Sequence, residues 1–183
     1  MNEDWEANNK KTYNKMKKNH LLQWDYIDKY IDEQNIKSIL DVGCGEIQHI
    51  GFSSEWVGID VNSTIKNEKV IHGDFFNYKF DREFDMVLIA GVVEHYDNET
   101  FEKFLDSALK VNPKHILITL FMRIREKDSK LFKYRSSYGL PHIRCKFGRN
   151  SIKRIMEKYN LNYSIEKIDN RSHVIVIRRN SNG

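Results

Sequence analysis

The sequence predicts an α/β fold with three layers: a mostly parallel sheet, helices on both of its faces, and a C-terminal antiparallel hairpin. Strand-like and helix-like segments alternate along the 183 residues, which is typical of parallel strands joined by helices. Two apolar runs, 38–41 and 56–60, each end in an acidic residue, and glycines follow the first at positions 43 and 45. Two alternating segments near the C-terminus, separated by a polar turn, indicate the hairpin.

The N-terminal segment, residues 1–35, is predicted to be helical. Apolar residues recur there every three or four positions and form one stripe; they are Leu21, Trp24, Ile27, Tyr30 and Ile31. Five apolar runs then predict the strands of the sheet. They are Ser38–Val42, Trp56–Asp60, Val70–His72, Phe84–Ala90 and His115–Phe121.

Two amphipathic helices are predicted in the second half of the chain. The first carries Phe101, Phe104, Leu105, Ala108 and Leu109 on one face. It is capped by Asp97 or Asn98 and ends before Pro113. After a long polar and aromatic connection, 122–148, the second helix begins at a cap formed by Asn150 or Ser151. The predicted hairpin pairs Tyr163–Ile168 with His173–Arg178.

The first two connections of the sheet are short. A parallel crossover normally needs about a dozen residues, and the segments 46–55 and 62–69 are near that limit. We therefore expect shortened crossover helices: one or two turns in the first connection, and at most a turn in the second.

Composition favours one soluble domain over residues 1–183, with an N-terminal helical lid (1–35) on an α/β core (36–183). The chain has 30 Lys and Arg against 26 Asp and Glu. No apolar run is long enough to span a bilayer, and the charged N-terminus is unlike a secretory signal. Cys44 and Cys145 have no metal-ligand spacing, so we predict free thiols and a cytoplasmic location.

Four short motifs carry the chemistry. They are Asp41-Val42-Gly43-Cys44-Gly45, the acid Asp60, Gly73-Asp74-Phe75 and Gly91-Val92-Val93-Glu94-His95. The glycine turn followed by an acid at the end of the next strand is a nucleotide-binding layout, because glycines admit the ligand and the acid accepts from ribose hydroxyls. In this order the motifs resemble the class I S-adenosylmethionine-dependent methyltransferases, from Ile39 to about Phe121. That family has a Rossmann-like fold; its third glycine is replaced here by Ile47.

The resemblance implies S-adenosylmethionine (SAM) as cofactor and assigns residues to it. Asp60 would accept from the ribose hydroxyls, Asp74 from the adenine amino group, and Asp41 would lie near the methionine ammonium. Phe75 would pack on the adenine ring. Backbone contacts would come from the turn and the strand ends, at Gly43, Cys44, Gly45, Val61, Ala90 and Gly91. Purely structural alternatives exist: Asp60 as a solvated strand-end acid, Asp74 as a turn residue and Asp41 as a cap on the glycine turn.

Two histidines are candidate general bases. His95 follows the fourth strand, where the family binds the reacting groups, and His142 lies on the connection after the fifth strand. Histidine titrates near neutrality and can take a proton from the acceptor. A purely bracing role for His95 stays open. Glu94 and these histidines also resemble a metal-dependent branch that methylates the 3′ ends of small RNAs, but Gly91 replaces one of its glutamates, and we predict no metal.

Charge distribution suggests the methyl acceptor. Residues 121–158 hold twelve Lys or Arg against three acidic residues, with aromatics interleaved, and a second basic cluster lies in 10–18. This favours a small anionic acceptor, with RNA as the alternative; a solvated lysine-rich surface would look the same. The DNA-methylating branch's motif is missing after the fourth strand, so no DNA acceptor is expected.

The predicted reaction is methyl transfer from SAM to an oxygen or nitrogen atom. Two other functions compete with it. A non-catalytic cofactor-binding module is compatible with the short crossovers. A nicotinamide dehydrogenase is disfavoured, because Gln48 replaces the third glycine of the dinucleotide fingerprint and Gly73-Asp74 would have no role.

Overall fold

The computed structural model describes residues 22–45, 54–61, 66–120, 124–135 and 141–179, and for 133–135 and 141–143 it describes the backbone alone. Contacts divide the chain into two compact units, Met1–Asn35 and Ile36–Gly183. In the first unit, helix α1 covers residues 22–33 and ends in a turn at Asn35, which has φ +52°. Ile27 and Ile31 on its predicted apolar stripe are buried. The lid function of this unit stays a prediction.

The second unit contains a seven-stranded sheet in the order β3-β2-β1-β4-β5-β9-β8. Its strands are β1 (Ser38–Val42), β2 (Glu55–Asp60), β3 (Val70–His72), β4 (Met86–Ala90), β5 (His115–Leu120), β8 (Tyr163–Lys167) and β9 (His173–Arg178). β1 to β5 are mutually parallel, and β9 runs antiparallel to both of its neighbours, β5 and β8. The predicted fold class and its C-terminal hairpin are confirmed.

The strand order reverses between β1 and β4. From β1 the chain builds outward through β2 to β3, then returns to place β4 on the other side of β1, with Asp41 opposite Leu88. In open α/β sheets, ligands bind outside the carboxyl ends of the strands at such a switch point. Asp41 and Asp60 lie close to that edge, at the ends of β1 and β2.

Helices α2 (Asn98–Lys110) and α3 (Arg149–Lys158) contribute to the main apolar cluster of this unit. Asp97 caps α2 by accepting a hydrogen bond from the Thr100 N–H at 2.8 Å, as one of the two predicted caps. Phe101 is fully buried, and its ring centroid is 5.1 Å from that of Phe147, which precedes α3.

Predicted boundaries differ by one residue at β2, which begins at Glu55 rather than Trp56, and at β8, which ends at Lys167 rather than Ile168. Two other predicted boundaries are wrong for reasons that the contacts show. β4 begins at Met86 rather than Phe84, because Asp85 is used to join strand ends: its carboxylate accepts from the Lys37 N–H at 3.0 Å and its own N–H donates to Ser38 Oγ at 2.9 Å. α3 is capped by Gly148 rather than by Asn150 or Ser151.

Tertiary contacts explain the start of α3. Ser151 Oγ accepts from the Ser129 N–H at 3.0 Å, and the Gly148 N–H donates to Ser129 Oγ at 3.0 Å. A side chain at Gly148 would overlap the carbonyl oxygen of Lys127. The Ser151 hydroxyl, a good helix cap, is therefore already bonded to Ser129 of another segment. Position 148 requires glycine because the backbone at Lys127 approaches it closely.

The predicted connection 122–148 contains a second, two-stranded sheet. β6 (Lys130–Arg135) pairs antiparallel with β7 (Pro141–Lys146), so that Phe132 is opposite Arg144 and Tyr134 is opposite His142. Sequence patterns missed this hairpin because lysines and arginines interrupt its alternation and Pro141 argues against a strand.

The short crossovers are described only in part. Residues 66–69, which lead into β3, form coil and turn rather than helix, as expected; residues 46–53 and 62–65 lie outside the described part. Within the described ranges, no helix has the length and apolar character needed to cross a membrane.

Candidate functional site

The glycine turn after β1 is fixed to β2 by two backbone donors. The Gly43 N–H donates to the Ile59 carbonyl at 2.8 Å, and the Gly45 N–H donates to Asp60 Oδ2 at 2.9 Å. Both glycines have positive φ, +68° and +55°, which other residues rarely adopt. A Cβ on Gly43 would lie 2.6 Å from Val92. The turn therefore approaches the loop after β4 closely, and only glycine allows this.

Asp60 is where the sequence placed it, at the end of β2 beside the turn. It has a structural task there, since it orders the turn through Gly45. An ionised carboxylate has about four lone-pair sites, so the hydrogen bond from Gly45 does not prevent Asp60 from accepting from ligand hydroxyls. The structural and ligand-binding interpretations of Asp60 are thus compatible.

Asp41 and Cys44 are the buried members of the motif. Burial, together with the charge of Asp60, raises the pKa of Asp41 to about 7. Burial raises the pKa of the Cys44 thiol to about 12, and a Cβ on Gly58 would lie 2.6 Å from the Cys44 sulfur. The Cys44 side chain therefore packs on β2, and any contact with a cofactor would come from its backbone. Both cysteines are free, as predicted.

Asp74 organises the loop after β3. Its Oδ1 accepts from the Phe76 N–H at 3.0 Å and its Oδ2 from the Asn77 side-chain amide at 2.6 Å. Its carbonyl also accepts from the Tyr78 N–H at 3.0 Å. This is the turn role that the sequence left open, and it holds an exposed carboxylate at the edge of the site.

Aromatic rings form one wall beside this loop. Phe75 is only 7% exposed and stacks on Phe104, with 6.2 Å between ring centroids. Phe76 and Tyr96 are more open, at 37% and 42% exposed, and both rings contact Phe104. Sequence reasoning selected Phe75 and missed the other two, although each directly follows a motif residue.

These segments enclose a cleft of about 340 Å³ at the switch point, within the usual range for small-molecule sites. Seven predicted residues line it: Gly43, Asp60, Val61, Asp74, Phe75, Gly91 and His95. Four do not: Asp41, Cys44, Gly45 and Ala90. A larger groove of about 870 Å³, beside the 76–83 loop and the C-terminal part of α2, is not lined by His95.

His95 is held in a short 3₁₀ turn, Val93–His95, after β4. The chain enters it through Gly91, which has φ +67° and whose N–H donates to the Thr119 carbonyl at 3.2 Å. The His95 N–H donates to the Val92 carbonyl at 3.1 Å. His95 is half-buried and faces the cleft, which suits a proton acceptor.

Glu94, which precedes it, is buried with 2% of its side chain exposed. Arg144 Nη1 of β7 lies 3.8 Å from Glu94 Oε1. His142 is in the same strand, two residues before Arg144; its side chain is outside the described part, so its place as a second base stays a prediction.

Acidic side chains lie next to arginines of the predicted basic surface and partly neutralise its charge. Besides the Glu94 pair, Arg149 lies 3.5 Å from Glu126, and Arg154 lies 2.7 Å from Asp128. Lys130 and Lys146 of the hairpin are opposite each other and exposed, with the Lys146 ammonium 5.0 Å from the Phe132 ring centroid.

Across the described ranges, no three His, Cys, Asp or Glu side chains come together as a possible metal site.

Comparisons with known proteins define the fold more closely. A scan of protein-family models found no match, and neither did a comparison with curated protein sequences. Among solved structures, the PH0226 protein from Pyrococcus horikoshii OT3 matches with a TM-score of 0.68 at 16% identity, covering 90% of this chain and 91% of that one. An S-adenosylmethionine-dependent methyltransferase from Clostridium acetobutylicum ATCC 824 matches with 0.62 at 12% identity, covering 91% and 98%.

A third structure holds ligands. The Burkholderia thailandensis 1,6-didemethyltoxoflavin-N1-methyltransferase, with bound 1,6-didemethyltoxoflavin and S-adenosylhomocysteine, matches with a TM-score of 0.60 at 10% identity, covering 82% of this chain and 75% of that one. This chain has the class I methyltransferase fold. At these sequence identities the likeness to solved structures concerns the fold.

Proposed function

We propose that this protein is a SAM-dependent methyltransferase that transfers a methyl group to an oxygen or nitrogen atom of a small anionic molecule. The observation that carries the proposal is the meeting of three segments in one cleft at the switch point. These are the glycine turn after β1, Asp60 at the end of β2, and the His95 loop after β4. The solved structures of the same fold that are named methyltransferases support it.

The residues around the cleft suit the chemical groups of SAM. Asp60 offers a carboxylate to two ribose hydroxyls, and Phe76 adds an exposed ring beside Phe75 for the adenine. Asp74 offers an exposed carboxylate to the adenine amino group. Asp41, buried beside the turn, would favour a cationic group nearby, because a positive charge stabilises its ionised form.

When bound, SAM would supply an electrophilic methyl group: the acceptor oxygen or nitrogen would form a bond to the methyl carbon as its bond to sulfur breaks, with S-adenosylhomocysteine as the leaving group. In this proposal the protein aligns the acceptor and excludes water, which lowers the entropic part of the barrier. His95 takes the acceptor's proton where the acceptor carries one, and S-adenosylhomocysteine leaves as the neutral product. His95→Ala should slow transfer while leaving S-adenosylhomocysteine affinity within about threefold, roughly 0.6 kcal/mol.

The anionic character of the acceptor is the finer part of the proposal. Lys130 and Lys146 face each other across the hairpin, and like charges directly opposite destabilise a bare ribbon. An anionic group between them would relieve that repulsion. Arg144 and Arg149, which belong to the same basic segment, already lie next to carboxylates, so the lysines are the better candidates. A small molecule is favoured over RNA by the toxoflavin enzyme, which shares the fold.

The experiment is transfer of labelled methyl from SAM into fractionated cell extract. Label in the small-molecule fraction is the expected result, and it should fall in Lys130→Gln/Lys146→Gln if the acceptor is anionic. Label in RNA would replace the small acceptor by the alternative. Binding of S-adenosylhomocysteine without transfer to any fraction would instead indicate a non-catalytic module.

A further inference from the structure

We propose that Glu94 and Arg144 are positioning residues: the ion pair between the buried Glu94 carboxylate and the partly exposed Arg144 lets the β6–β7 hairpin hold the loop that carries His95. The inference rests on the proposed function for its catalytic meaning, but the pair itself is a feature of the described structure. Glu94 belongs to the 3₁₀ turn after β4, and Arg144 belongs to β7 of the separate two-stranded sheet.

The carboxylate of Glu94 is buried. The Glu94 side chain is 2% exposed, while Arg144 is 31% exposed. A buried carboxylate is costly unless an opposite charge lies close to it, and Arg144 Nη1 is 3.8 Å away. Removing Arg144 takes away an opposite charge from this buried carboxylate, which is destabilising, so the position of the hairpin favours the buried position of Glu94.

The ion pair lies directly beside His95 in the chain. Glu94 is adjacent to His95, and the turn that contains both has only three residues. A displacement of Glu94 is therefore transmitted directly to the imidazole that lines the cleft. On its other side the loop is joined to the sheet, where the Gly91 N–H donates to the Thr119 carbonyl. The loop is thus held by β5 from one side and by the hairpin from the other.

The end of the hairpin that carries Arg144 is anchored in the apolar core. Cys145, next to Arg144, is 1% exposed, and Phe147 is 2% exposed in the main apolar cluster. The end of β7 is thus fixed in the core, and Arg144 projects from a rigid base. This contrasts with Arg149 and Glu126, an ion pair with 46% and 84% exposed side chains, which is expected to contribute little.

The experiment compares hydrogen exchange of backbone amides in residues 93–97 and 141–147. Arg144→Met should raise exchange in both segments on the order of tenfold, because both lose the same contact. Arg144→Lys keeps a charge and should restore most of the protection. Arg149→Met, the matched control, should leave both segments as in the wild type.

A second variant covers the case in which Arg144→Met fails to fold. Glu94→Gln/Arg144→Met removes both charges, so it should recover stability yet still exchange faster in both segments. Wild-type protection of 93–97 in the double variant, or faster exchange in the hairpin alone, would overturn the proposal.

Kinetics then separate the positioning role from the proposed activity. In the double variant, kcat for methyl transfer should fall about tenfold with S-adenosylhomocysteine affinity unchanged, and Arg144→Lys should recover most of kcat. Unchanged kcat would refute positioning. If the wild type transfers no methyl group, the proposed function fails, while the exchange measurements still decide whether the pair joins the hairpin to the loop.

Discussion

Asp60 has a structural role in the glycine turn and a proposed role in ligand binding, and substitutions can separate the two. Its carboxylate fixes the glycine turn through the Gly45 N–H, and in the proposed function it also accepts from two ribose hydroxyls. Asp60→Ala should cost roughly 2–4 kcal/mol of S-adenosylhomocysteine affinity, because a charged acceptor is lost from both hydroxyls. Calorimetric titration measures this.

Asp60→Asn is the matched variant for that measurement. Its amide oxygen can still accept from Gly45, so the turn stays ordered while the charge is lost, and we expect an affinity between those of the wild type and Asp60→Ala. If Asp60→Ala binds S-adenosylhomocysteine as tightly as the wild type, the ribose is not held by this residue.

Asp41 predicts an unusual pH dependence of stability. Its pKa is raised to about 7 in the folded protein, by burial and by Asp60, from an ordinary value of 3.8. Between these values the folded state holds a proton that the unfolded state has released, so stability falls as pH rises from about 4 to about 7. Relative to Asp41→Asn, the wild type should lose about 1.4 kcal/mol for each unit of the shift.

Asp85 provides the opposite case. Burial raises its pKa, but hydrogen bonds from Lys114 and the Lys37 N–H outweigh burial and lower it overall. Its contribution is therefore present above the unfolded pKa and lost as the pH falls through the folded one. In denaturant unfolding, the stability difference between the wild type and Asp41→Asn should change between about pH 4 and 7. The difference for Asp85→Asn should change in the opposite direction and below about pH 4. Trends of the same sign, or a constant difference for Asp41→Asn between about pH 4 and 7, would contradict the assignment of Asp41.

Residues of the candidate site could be predicted from the sequence where the backbone conformation restricts which amino acid fits. Gly43 and Gly45 have positive φ, and a strand-end acid such as Asp60 is a strong local signal. Phe76 and Tyr96 were missed because their exposure depends on how Phe104 of α2 packs beside them, and no local pattern encodes that contact.

At the scale of elements, the loop after β3 makes a testable distinction between neighbouring aromatics. Phe76 lines the cleft, whereas Tyr78 does not, and the two are similarly exposed at 37% and 42%. Phe76→Ala should weaken S-adenosylhomocysteine binding by about 1–3 kcal/mol if its ring stacks on the adenine, by analogy with stacked bases. Calorimetry on both variants should show no comparable loss for Tyr78→Ala; equal losses would mean that the loop acts only through its fold.

Elements were predictable where apolar periodicity and packing agree. β1, β3 and β9 have the predicted bounds, and α2 begins at a predicted cap. The β6–β7 hairpin was missed since its strands are basic, and their pairing depends on contacts such as that of Arg144 with Glu94, distant in sequence. The predicted start of α3 was also wrong because of a contact distant in sequence: the Ser129 N–H donates to the Ser151 hydroxyl.

At the scale of the whole molecule, topology brings the motifs together. Gly43, Asp60 and His95 follow three different strands, and the reversal of strand order between β1 and β4 puts them around one cleft. A mostly parallel sheet could be foreseen from the alternation of elements, and so could the edge where ligands bind. The order of the strands was not predicted. The size of the cleft and its aromatic wall could not be foreseen, because they depend on packing between loops.

In the proposed function, the cleft binds SAM and its product rather than a dinucleotide. Calorimetric titration of the wild-type protein with S-adenosylhomocysteine, and separately with NAD, distinguishes these two kinds of ligand. We predict saturable one-to-one binding of S-adenosylhomocysteine and no measurable binding of NAD. Tighter binding of NAD than of S-adenosylhomocysteine would contradict the account, because the glycine turn and Asp60 would then serve a nicotinamide cofactor.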